Sequence, residues 1–260
     1  MIIGDVELAL QSSDAPQLDW DLLDVEEGGV RLSRMTVDVR WPALTAEYVQ
    51  KICSSLNSDG SVVDVGGGSG RLRHLIGTSC SRYINLEPSG TLLSRLGFDD
   101  SQVAIRGLGE FLPISSGSFS CVSAKSSLDH AFDVNLIISE FFRVLEPGGF
   151  VIILLTNESS WYKRVMPRQA KRRRERCEDH NFFFGVLDLE NLLIDNGFEG
   201  VKSTTYDYLR LPFLLEDLFC RMMPNSFLRR FRHTVDTVCQ TVIPRSGGTM
   251  IVEATKSPLQ

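Results

Sequence analysis

Between two carboxylates, Asp64 and Glu87, the chain places a cluster of glycines, Gly66, Gly67, Gly68 and Gly70. A glycine has no Cβ, so it permits positive φ and lets a bulky ligand come close to the backbone. An acid about twenty residues beyond such a turn can accept the hydroxyls of a ribose. Together these features point to a nucleotide-like ligand. The spacing narrows the choice. Gly66, Gly68 and Gly70 give G-x-G-x-G, whereas a dinucleotide turn has G-x-G-x-x-G. Counted from Gly66, the dinucleotide pattern needs glycine or alanine at position 71, where the chain has Arg71.

Two further residues can move a proton near neutral pH, His130 and His180. His130 follows an apolar run and is a candidate general base, with helix capping or packing as its alternative. His180 precedes Asn181, Phe182, Phe183 and Phe184, where either a chemical or a structural part is open. His74 and His233 read as surface or packing residues. The six cysteines form no C-x-x-C pair, and no His/Cys cluster has metal-ligand spacing. No metal is therefore expected, and the thiols read as reduced, as in a cytoplasmic protein.

These groups need a scaffold. Residues 62–65 are a β-branched apolar run that ends at the glycines, and a helix begins at Arg71: strand, turn, helix N-terminus. Further strands are expected at 83–86, 102–106, 119–124 and 150–155, with a closing one at 248–254. The helix from Trp41 and Pro42 repeats Leu44, Tyr48, Val49, Ile52 and Leu56 at helical spacing, and residues 57–60 stop it. A short helix carries Leu92, Leu93 and Leu96. An amphipathic helix is expected over 133–145, with a turn at Glu146, Pro147, Gly148 and Gly149. Alternating strands and helices imply α/β architecture with a parallel sheet and crossover connections.

With these pieces in place, the chain resembles the S-adenosylmethionine-dependent methyltransferases of Rossmann-like fold. Asp64 through Gly70 match that family's first motif, and Glu87 its ribose-binding acid. Gly109, Glu110, Leu112 and Pro113, then Phe119 to Val122, look like its adenine-side loop and fourth strand. Residues 141–149 resemble the branch related to quinone-biosynthesis enzymes, and 188–198 its last crossover helix. The likeness covers roughly 60–205. It implies a seven-stranded, mostly parallel sheet with helices on both faces and an antiparallel last strand. It also implies S-adenosylmethionine as the methyl donor, held by Asp64, Gly66, Gly67, Gly68, Gly70 and Glu87. Pro88, Gly109, Glu110 and Lys125 would complete that site. Two positions depart from the family: Leu108 stands where relatives often have an acid for the adenine amino group, and Ser120 where they often have Asp.

The chain has 260 residues and a net charge of −6, which argues against a general nucleic-acid binder. Its first ten residues carry Asp5 and Glu7 and no Lys or Arg, unlike a secretory signal. We expect an N-terminal arm over 1–40 and one domain over 41–260, with helical lid segments near 158–180 and 209–243. The first holds Lys163, Arg164, Arg168, Lys171, Arg172, Arg173, Arg174 and Arg176. This run is either a solvated face or an attraction for an anionic acceptor. The second is apolar from Leu209 to Met223 and suits a substrate lid or a homodimer surface. Peripheral membrane contact is disfavoured, because Glu216 and Asp217 interrupt the stripe. The expected activity is methyl transfer to a small or lipid-linked metabolite. A non-catalytic donor-binding protein and a nicotinamide-dependent oxidoreductase are the alternatives.

Overall fold

Strand β1 (Ser61–Val65) is buried at all five positions, as a parallel strand covered on both faces must be. It pairs in parallel with β2 (Arg82–Glu87) on one side and with β4 (Phe119–Lys125) on the other. Beyond β2 lies β3 (Gln102–Arg106), and beyond β4 lies β5 (Leu145–Thr156). The last strand, β7 (Thr249–Lys256), inserts antiparallel between β5 and β6 (Phe198–Tyr206). The order is therefore β3-β2-β1-β4-β5-β7-β6. It reverses between β1 and β4, and at such a switch point the connections diverge and leave a crevice at the strands' carboxyl ends. This computed structural model describes residues 41–57, 59–94, 102–168, 171, 180–209, 218–219 and 221–258. The expected arm over 1–40 lies outside them.

Side chains alternate along each strand, so each face has its own core. Val62, Cys121, Ile152 and Ile251 pack under helix α1 (Trp41–Ser55) through Leu44, Tyr48 and Ile52, and under α2 (Arg71–Ile76) through Leu72 and Ile76. Val63, Val65, Val122, Ile153 and Val252 face the other way. They meet Ile137, Ile138 and Phe141 of helix α4 (Val134–Val144) and Leu189 and Leu193 of helix α6 (Val186–Asp195). The short α3 (Gly90–Ser94) follows β2; Leu92 and Leu93 lie in it, while Leu96 is outside the described residues. Helix α4 (Val134–Val144) starts where Asp133 accepts hydrogen bonds from Asn135 N and Leu136 N at 2.9 and 3.1 Å.

The expected turn at 146–149 is accommodated inside β5. Leu145 pairs with Phe119 and Phe150 with Cys121, so five residues of β5 advance against two of β4. Gly148, at φ 82°, turns the chain there. Ser120, the departure noted above, ties the strand's start to β1: its Oγ accepts from Ser61 N at 2.7 Å and donates to Ser61 O at 3.0 Å. That is strand-end structure, not chemistry.

After β5 come α5 (Trp161–Val165), α6 (Val186–Asp195) and, beyond β6, α7 (Asn225–Val242). The β6–α7 link leaves from the same sheet edge as the glycine turn. Helix α7 docks on the end of β6, with Gln240 Nε2 donating to Thr205 O at 2.8 Å and Asp236 Oδ1 accepting from Tyr208 N at 3.0 Å. Residues 172–179 and 210–217, which hold much of the two expected lids, lie outside the described residues. Among those described, no helix is long and apolar enough to cross a membrane.

Candidate functional site

The glycine turn leaves β1 with φ 70° at Gly66, 57° at Gly68 and 69° at Gly70. The end of β2 clamps it. Gly66 N donates to Leu86 O at 2.8 Å, Asn85 Nδ2 to Gly68 O at 2.9 Å, and Gly68 N to Glu87 Oε2 at 2.9 Å. At Gly67 the requirement is close approach. A Cβ there would lie 2.0 Å from Asn85 Oδ1 and 2.5 Å from Asp64 Oδ2. At Gly68, by contrast, a Cβ would meet only Leu92, at 3.9 Å, among the described residues, so this stretch of backbone leaves room for a ligand. The expected result for Gly67→Ala follows. The turn shifts, and affinity for an adenosyl ligand falls by roughly thirtyfold, about 2 kcal/mol, the middle of the overpacking range. Titration calorimetry checks it; unchanged affinity would mean that the turn does not shape the site.

Asp64 sits on the α1 face of β1 and is 3% exposed. Its Oδ2 accepts from Tyr83 Oη at 2.6 Å and its Oδ1 from Ser123 Oγ at 2.7 Å. Tyr48 Oη lies 2.9 Å from Ser123 Oγ and donates to Ile152 O at 3.1 Å. Burial pushes the Asp64 pKa up, against the hydroxyls of Tyr83 and Ser123 and the nearby Lys125. The carboxylate thus lies packed against the inner side of the turn at Gly67. From sequence Asp64 is expected to help hold the donor; in the fold both of its oxygens also accept hydroxyls of the core.

Glu87 closes the turn from β2. Besides holding Gly68, its Oε1 accepts from Ser89 N at 3.0 Å. Each carboxylate oxygen has two lone-pair sites, so both can also accept a sugar hydroxyl. Burial raises its pKa; the Ser89 and Gly68 N–H groups oppose the rise, Asp64 adds to it and His130 lowers it. His130 itself lies in the turn Leu128–His130 that follows β4. Pro88 follows, half-buried, its carbonyl accepting from Arg106 Nε at 3.0 Å.

The neighbouring loop carries Gly109 and Glu110, both buried. Gly109 packs on the core: a Cβ there would come within 3.0 Å of Val65. Glu110 turns its Oε1 to Phe132 N at 2.8 Å, bracing the segment before α4. Arg143 of α4 fixes the same loop. Its guanidinium bonds both oxygens of Glu140, at 2.6 and 2.7 Å, and donates to Leu112 O and Ile114 O at 2.9 and 2.7 Å. At the end of β4, Lys125 is exposed at the mouth of the crevice. Desolvation lowers its pKa, Asp64 opposes this and Arg71 adds to it, all screened by solvent at the mouth.

His130 and His180, fifty residues apart, stand together. Their rings meet edge to face with centroids 4.6 Å apart, and His180 Nδ1 lies 3.3 Å from Asp129 Oδ2. Asp129 was not among the residues singled out from sequence. The adjacent pair Asp129-His130 after a strand was the available signal, but its partner is visible only in the fold.

A family described as a methyltransferase domain matches residues 37–203. A ubiquinone/menaquinone biosynthesis C-methyltransferase of Hahella chejuensis is 30% identical over 111 residues, 39% of this chain and 45% of that one. The chain spans about half the length of the curated relatives it matches. Among solved structures, a SAM-dependent methyltransferase from Thermotoga maritima superposes with TM-score 0.59 at 18% identity, over 86% of this chain and 93% of that one. Phosphoethanolamine N-methyltransferase 2 of Haemonchus contortus, solved with S-adenosyl-L-methionine, gives TM-score 0.57 at 14% identity, over 84% and 53%.

Proposed function

Since the chain belongs to the methyltransferase-domain family, we propose that it transfers a methyl group from S-adenosylmethionine to a small or lipid-linked metabolite. The observation that carries this is the glycine turn clamped by Glu87 at the sheet's switch point. The donor supplies a methyl carbon already made electrophilic by its sulfonium centre. The protein's task is then to align and to exclude water. In this reading Glu87 receives the ribose hydroxyls and the open backbone at Gly68 admits the ligand. Gly66, Gly67 and Gly70 shape the turn, with Asp64 holding it from the core. Backbone at Gly109 and Glu110 meets the base, Pro88 closes the ribose end, and Lys125 offers charge at the mouth. The cluster of Asp129, His130 and His180 faces the acceptor side.

The test is incubation with isotopically labelled donor and cell metabolites, followed by mass spectrometry of the labelled product. A labelled metabolite supports the reading. Label only on tRNA or peptides would replace the acceptor class, and donor binding without any product would favour a non-catalytic binding protein.

The segments 158–180 and 209–243 are proposed to cover the acceptor side, with the Arg-rich run attracting an anionic acceptor. Replacing Arg172, Arg173 and Arg174 together by Gln should raise the acceptor KM by about tenfold at low salt and by less at high salt. Donor affinity should stay nearly constant. A KM equal to the parent's at low ionic strength would reduce the run to a solvated face.

A further inference from the structure

The turn Leu128–His130 after β4 and the loop that begins at His180 meet at the carboxyl edge of the sheet. They bring one ligand-type atom each from Asp129, His130 and His180 within 4.8 Å of one another. Metal bonds of about 2.0–2.2 Å set neighbouring ligands roughly 3–3.5 Å apart. His180 Nδ1 and Asp129 Oδ2, at 3.3 Å, already have that spacing, and His130 offers a ring nitrogen within 4.8 Å of both.

The meeting is built into the backbone. Asn181 N and Phe182 N both donate to Asp129 O, at 2.8 and 3.1 Å. The Asn181 side chain donates to Ala131 O at 3.0 Å and to His130 O at 3.3 Å. Independently of this geometry, Asp129 is 8% exposed, and its Oδ1 is buried without a hydrogen-bond partner among the described residues. A buried carboxylate oxygen left in that state is costly unless a cation or a donor meets it.

We propose that Asp129, His130 and His180 bind a divalent transition-metal ion on the acceptor side of the crevice. Two imidazoles and one carboxylate suit Zn²⁺ or Fe²⁺ better than Mg²⁺ or Ca²⁺, which prefer oxygen. Three protein ligands leave positions open for water or for an oxygen of the acceptor. A hydroxyl bound there would have its pKa lowered, its proton leaving to solvent. That use of the ion rests on the methyl-transfer reading above; its binding does not. The expectation of no metal came from local spacing along the chain, which cannot register ligands fifty residues apart.

The experiment is calorimetric titration of chelator-stripped, full-length protein with Zn²⁺ and with Mg²⁺, alongside S-adenosylhomocysteine. One Zn²⁺ per chain is expected, with Mg²⁺ far weaker. His180→Ala and Asp129→Asn should each weaken Zn²⁺ by about a hundredfold or more, since losing a residue that only supports a ligand already costs about 10–100-fold. Because Asp129 is buried, its variant must first melt like the parent. His180→Ala, on a loop, carries the test if it does not. No Zn²⁺ binding by the parent, or equal binding by His180→Ala, would overturn the site. Zn²⁺ without S-adenosylhomocysteine would keep the ion site and remove the methyl-transfer reading, and the converse would remove the ion site alone.

Discussion

Glu87→Ala is expected to lower affinity for S-adenosylhomocysteine by about 150-fold or more. Two hydrogen bonds from sugar hydroxyls to a charged acceptor are worth about 1.5–3 kcal/mol each, so losing both removes at least ~3 kcal/mol. The same carboxylate holds Gly68 N at 2.9 Å and Ser89 N at 3.0 Å, so its loss also loosens the turn. The measurement is titration calorimetry of parent and variant. A variant that binds within threefold of the parent, roughly 0.65 kcal/mol, would show that Glu87 only shapes the loop.

The second large effect is on stability. Asp64→Ala leaves the hydroxyls of Tyr83 and Ser123 without their acceptor in the core. At about 1–3 kcal/mol for each orphaned group, the loss should be about 3 kcal/mol by urea denaturation. Asp64→Asn keeps one carbonyl acceptor and an amide, and should stay within about 1 kcal/mol of the parent. It should also change the pH response. Burial raises the Asp64 pKa, so the stability linked to its proton is complete below the ordinary value of 3.8 and lost as pH rises through the folded value. The parent should therefore lose more stability than Asp64→Asn on going from acid to neutral pH. An alanine variant as stable as the parent, with donor affinity abolished, would restore the direct-contact role expected from sequence.

Local features of this fold are legible in the sequence, and long-range ones are not. Residues 62–65 and 102–106 announce themselves as strands because their β-branched and apolar content is local, and the structure has them as β1 and β3. Leu44, Tyr48 and Ile52 recur at helical spacing and are the residues α1 buries. The glycines and Glu87 are legible because a turn and the acid nineteen residues past Gly68 obey short-range geometry. Asp64 looked the same from the sequence. Its partners are fixed by register, with Asp64 opposite Asn85 of β2 and Ser123 of β4, and by α1 docking Tyr48 over Ile152. None of this is encoded in spacing. Likewise the side chain of Glu110 reaches Phe132, and His180 reaches Asp129, only after the crossover connections close.

The central claim is that this crevice takes an adenosyl methyl donor and not a dinucleotide, on the strength of G-x-G-x-G, Arg71 at the position a dinucleotide turn needs for glycine, and Glu87 at the end of β2. The most direct measurement is calorimetric titration of the parent protein with S-adenosylhomocysteine and, separately, with NAD. Saturable binding of S-adenosylhomocysteine, weakened by Glu87→Ala, and no heat from NAD are expected. Binding of NAD with none of S-adenosylhomocysteine would contradict it.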